Sequence, residues 1–112
     1  MRTPDYIEHI LEAIGQIREY VAPLSLEAFQ STRMVIDAVV RNLEIIGEAA
    51  HNLVVHDPAF AAAHPEIPWE SMYSMRNRIS HSYFAINTNT IWVTVQRDLP
   101  ALEHDLLYLR SA

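Results

Sequence analysis

The stretch "MVIDAVVRNLEIIGEAAHNLVV", Met34 to Val55, decides the fold. It contains no proline and a single glycine, Gly47. Met34, Val35, Ala38, Val39, Leu43, Ile45, Ile46 and Leu53 recur at three- and four-residue steps. At about 100° per residue they cover more than one face of a helix. Such a helix is buried on two sides, by the rest of the domain and, in a dimer, by a second copy. Phe29 extends the pattern backwards to Ser25, a suitable N-cap, so the expected helix runs unbroken from Leu26 to Val55. Gly47 costs about 1 kcal/mol relative to alanine and marks the close approach of another backbone.

The flanking segments repeat the helical period. Thr3 before Pro4 reads as an N-cap with proline at the first helical position. A stripe of Ile7, Ile10, Leu11, Ile14, Ile17 and Val21 follows. The prolines at 58, 65 and 68 make "HDPAFAAAHPEIP" the main connector. A helix from Trp69 to about Tyr83 comes next, then a turn at "AINTNT" with Thr88 or Asn89 as cap. The last helix carries Ile91, Val95, Leu99, Leu102, Leu106 and Leu109 on one stripe, and Pro100 predicts a kink within it. Trp69 is expected in the core, and Ile91 and Trp92 are expected to pack against the preceding helix. The expected architecture is all-α, an antiparallel bundle of four to five helices in one domain over residues 1–112.

Composition narrows the function. Of 112 residues half are hydrophobic and none is cysteine, so disulfides and thiolate metal sites are excluded. This fits a cytoplasmic protein, and no apolar run approaches membrane length. The net charge is −6, from 14 acids and 8 basic residues. All the basic residues are arginine. A broad nucleic-acid surface is disfavoured by that balance, whereas a small pocket gripping one phosphate suits the arginine fork.

One stretch stands out, "MRNRISHSYF", Met75 to Phe84. Arg76 and Tyr83 lie seven apart and nearly on one line. Asn77 and His81 are four apart, so Asn77 can hydrogen-bond the imidazole and fix its tautomer. Arg76 and His81 sit about 140° apart on a regular helix. They converge only if the helix unwinds near Ser80 or if two chains share one cleft. These residue types suit metal-free phosphoryl transfer. Arginine neutralises phosphate oxygens, and histidine moves a proton between a 2'-hydroxyl and a leaving oxygen. The competing reading is a helical interaction module in which Arg76 simply pairs with acids on the long helix.

Arg76, His81 and Tyr83 form the pattern R-x4-H-x-Y. With the blocks "AVVRNLEIIGEAA" (Ala38–Ala50), "IPWESMYSMRNRISHSYFAIN" (Ile67–Asn87) and "IWVTVQRDLPALEHDL" (Ile91–Leu106), it resembles the HepT-like ribonuclease toxins of the HEPN superfamily. The resemblance covers almost the whole chain. It implies a HEPN-like homodimer whose cleft is lined by arginine and histidine of both protomers. It implies a metal-independent endoribonuclease with no cofactor, the toxin of a type VII-like toxin–antitoxin system. Arg76 and His81 would be the catalytic pair and Asn77 their support. Tyr83 would accept AMP from an MntA-like nucleotidyltransferase antitoxin, which silences the toxin. The alternative is a non-catalytic module that docks such a nucleotidyltransferase.

Glu48 and His51 form E-x-x-H, a metal-binding spacing in helical bundles, but one copy falls short of a di-iron set. Glu48 is read instead as a structural or supporting residue, for which an ion pair with an arginine in the third helix is one option. Arg41, Glu44 and Glu48, at helical spacing, are read as a solvated or interhelical polar seam.

Overall fold

The computed structural model describes residues 2–81 and 87–111. The described residues are helical and contain no strand, as the periodicity predicts. In chain order the helices are α1 (Thr3–Val21), α2 (Leu26–Ser31), α3 (Arg33–His56), α4 (Pro58–Ala63), α5 (Trp69–His81), α6 (Thr88–Val93) and α7 (Leu99–Ser111). A π-helical turn at Thr94–Asp98 joins the last two.

Helix α3 is the central rod. It packs against α1 on one side and α5 on the other, so both of its apolar faces are covered within one chain. Phe29, Val39 and Leu53 are fully buried, together with Ile10 and Ile17 of α1 and Leu106 of α7. Met34 departs from expectation and is 84% exposed. Two ion pairs, Arg18 with Glu103 and Arg110 with Glu8 at 2.7 Å, tie α1 to α7.

The long helix is interrupted at Thr32, where the sequence predicts continuity. Thr32 has φ −112° and ψ 86°, outside the helical range. The Ser31 hydroxyl donates to the Glu27 and Ala28 carbonyls, and the Thr32 hydroxyl donates to the Ala28 carbonyl at 2.7 Å. Such side-chain bonds satisfy carbonyls in place of the next helical amides, and so close α2. The bend turns Phe29 into the core, where its ring lies 5.3 Å from that of Trp92. Trp92 therefore packs on α2.

Smaller corrections have local causes. The N-cap of α1 is Arg2, whose backbone N–H donates to Asp5, while the Thr3 hydroxyl donates to Asp57 at 2.7 Å. Ser25 caps α2 by accepting from the Ala28 N–H, as expected. The connector holds a helix of its own, α4, because Asp57 accepts from the Phe60 N–H and Pro58 is preset for a first helical position. Asn87 caps α6 by accepting from the Thr90 N–H. Near Pro100 the chain widens instead of breaking. The Leu99 N–H reaches back five residues to the Thr94 carbonyl, and the wider turn leaves room for the proline ring.

Candidate functional site

Helix α5 places the arginine–histidine stretch along α3. It starts at Trp69, which is buried as expected and donates from Nε1 to the His64 carbonyl at 3.2 Å. Met72 is buried one turn on. That anchor sets which face of α5 meets α3. The close approach foreseen at Gly47 occurs there. A Cβ at Gly47 would lie 2.7 Å from the Met72 carbonyl oxygen and against Cβ and Cγ of Arg76. Only glycine lets the two backbones meet at this crossing.

Three pairs flank the crossing on one side. The Ser80 hydroxyl donates to Glu44 at 3.0 Å. Arg76 Nε lies 3.4 Å from Glu48. The rings of His51 and Tyr73 stack with centroids 3.9 Å apart and planes 12° from parallel. The numbers rise along α3 as they fall along α5, the register of two antiparallel helices. The polar seam expected on α3 is thus real for Glu44 and Glu48. The sequence does not pair Ser80 with Glu44 or Tyr73 with His51, because the partners lie on different helices.

Arg76 is half-buried and held twice. Besides Glu48 it donates from Nη1 to the Asn77 side-chain oxygen at 3.0 Å. The support expected from Asn77 therefore divides. Its side chain serves Arg76, and its backbone carbonyl serves His81, accepting from Nδ1 at 2.9 Å. A carbonyl oxygen only accepts, so Nδ1 carries the proton and Nε2 of the neutral ring is left with its lone pair. His81 is exposed at the end of α5.

Helix α5 stays regular through His81, so the angle of about 140° between Arg76 and His81 stands. One chain does not bring the two side chains together. Arg76 instead lines a groove of about 250 Å³ with Tyr6, His9, Arg41, Glu48 and Asn52. Tyr83 lies outside the described residues. Glu48 and His51 turn to different partners, Arg76 and Tyr73, rather than converging on one point.

The family model described as "Ribonuclease HepT-like" matches residues 10–109. A protein of Thermococcus cleftensis named "Probable ribonuclease HepT" is 42% identical over 107 residues, covering 96% of this chain and 94% of that one. A relative from Caldanaerobacter subterraneus subsp. tengcongensis, named as a candidate RNase, is 39% identical, covering 92% of this chain and 90% of its own. Another candidate RNase, from Methanocaldococcus jannaschii, is 31% identical, covering 90% of each chain. No solved structure matches the chain.

Proposed function

The chain belongs to the HepT-like ribonuclease family, and on that premise we propose that it is a metal-independent endoribonuclease using Arg76 and His81. The observation that carries this reading is the state of His81. Its Nδ1 is committed to the Asn77 carbonyl, leaving Nε2 exposed as a proton acceptor. Nε2 takes the proton of an RNA 2'-hydroxyl. The 2'-oxygen attacks the neighbouring phosphorus, and the bond to the 5'-oxygen breaks. A second imidazole returns a proton to that oxygen, leaving a 2',3'-cyclic phosphate and a 5'-hydroxyl. Arg76 balances the charge that grows on the non-bridging oxygens.

The reaction needs an acid as well as a base, and Arg76 and His81 of one helix point apart. Both requirements are met by a HEPN-like homodimeric bundle in which two copies face each other across a cleft. In this reading the protein is the toxin of a type VII-like toxin–antitoxin pair. Its partner is an MntA-like nucleotidyltransferase that transfers AMP to Tyr83. AMP two residues from His81 adds bulk and negative charge where an RNA phosphate must sit.

A second reading is a non-catalytic module that docks the nucleotidyltransferase. The observation favouring it is the Arg76–Glu48 pair, since an arginine engaged by a carboxylate is what a structural helix contact requires. Expression in a bacterial host separates the two. Growth arrest with RNA cleavage that persists in EDTA and disappears in His81→Ala supports the ribonuclease. A folded wild-type protein that cuts no RNA supports the module. Co-expression with a neighbouring nucleotidyltransferase, followed by intact mass and peptide mapping, tests the switch. AMP-sized added mass on the Tyr83 peptide, lost in Tyr83→Phe, is the expected result.

A further inference from the structure

The stack of His51 on Tyr73 is not used by the chemistry above. Its rings are nearly parallel at 3.9 Å. Both residues are half-buried, so the pair keeps contact with solvent. It does not sit in the apolar core. It is the third member of the polar seam, beside the Arg76–Glu48 pair. Tyr73 lies three residues before Arg76 on α5, just under one helical turn or about 4.5 Å along the axis, so the stack and the arginine are neighbours on the same helix. Asn52 follows His51 and is half-buried, and Val55, one turn further along α3, is 61% exposed. A half-exposed aromatic pair, with exposed Val55 one turn away on α3, therefore lies next to the arginine to which the reading above assigns the phosphate.

We propose that the His51–Tyr73 stack is a nucleobase subsite, taking the base of single-stranded RNA adjacent to the phosphate held by Arg76. The proposal rests on the ribonuclease reading and adds to it where the substrate strand lies. A base adds to the rings as a further stacked layer. Because every base has a π face, such a platform is tolerant in sequence, and its preference follows stacking strength. Purines, the larger rings, are thus favoured at one position beside the cut. The platform also answers the acidic net charge. Stacking supplies affinity that a −6 protein cannot draw from many phosphate contacts.

The test is cleavage of a randomised single-stranded RNA by the full-length protein, with cut sites mapped and KM and kcat measured on a preferred sequence. Tyr73→Phe keeps the ring and is expected to behave as wild type. Tyr73→Leu is expected to raise KM about tenfold or more, to leave kcat within about twofold, and to flatten the purine preference at one flanking position only. Circular dichroism and thermal unfolding establish that the variant is folded. If it is not, His51→Leu is read the same way. A folded Tyr73→Leu or His51→Leu with wild-type KM and unchanged base preference overturns the subsite and leaves the ribonuclease intact. Wild-type protein that cuts no RNA overturns the ribonuclease reading and the subsite with it.

Discussion

The Cβ of Arg76 rests against the bare backbone of Gly47, and no side chain can stand between them. Arg76 is therefore placed by the absence of a group on a different helix. A Cβ at position 47 would also fall 2.7 Å from the Met72 carbonyl, and that backbone moves only if α5 moves. Gly47→Ala is expected to destabilise by about 1–3 kcal/mol, because overpacking outweighs the helix-propensity gain of about 1 kcal/mol. Cleavage should fall with it. Chemical denaturation beside an RNA cleavage assay checks both, and a variant at least as stable as wild type refutes the account of the crossing.

Gly15 is the control. It lies inside α1, and nothing stands within 4 Å of the place an alanine methyl would take. Gly15→Ala should therefore stabilise by about 0.5–1 kcal/mol through backbone entropy alone. Thermal unfolding should show a midpoint higher by a few degrees.

The Arg76–Glu48 pair contributes more to placement than to stability. The two side chains are 34% and 49% exposed, so solvent screens the attraction. Glu48→Gln is expected to change unfolding free energy by less than about 1 kcal/mol. Arg76→Ala should lower cleavage about a hundredfold or more while the protein remains folded. A collapse of the fold in Glu48→Gln would show that the pair carries stability instead.

Because the proposed cleft takes its base and its acid from the His81 of both copies, one intact copy is not enough. Wild-type chains unfolded and refolded with an excess of His81→Ala protein pair mostly into mixed dimers that hold a single His81. Cleavage is then expected to fall with the square of the wild-type fraction, as only wild-type homodimers keep both imidazoles. Cleavage that stays proportional to the wild-type chains present would place each site within one chain.

Phe29 tests the break before α3. It is fully buried although it belongs to a helix of six residues. Phe29→Ala should cost about 3–5 kcal/mol, the range for truncating a core aromatic. A loss below about 1 kcal/mol would mean that α2 is peripheral and that the Thr32 bend has no packing purpose.

The period of apolar residues made the helices legible. The buried positions of α1 and α7 follow it closely, whereas in α3 Met34 is exposed and Ile36, outside the expected stripe, is buried; Gly47 announced a close contact without naming its partner. The errors lie where a local hydrogen bond outcompeted the period. The hydroxyls of Ser31 and Thr32 ended a helix that the apolar pattern continues. The Asp57 cap started one inside a segment that its prolines mark as a connector. Asn77 shows the same limit at the site. Spacing of four allowed its side chain to reach His81, but its backbone carbonyl was equally close, and the side chain was drawn to the charge of Arg76.

Sequence alone was sufficient for the helical class, most of the core faces and the family, because each depends on spacing along one chain. Tertiary structure was needed to match Glu44 with Ser80, Glu48 with Arg76 and His51 with Tyr73. Those pairs depend on the register of two antiparallel helices. That register is set where Gly47 lets α5 come close, and Trp69 and Met72 orient the face that meets α3. No periodicity within α3 or α5 contains it, because a single helix can slide along its neighbour by a turn and keep the same apolar stripe.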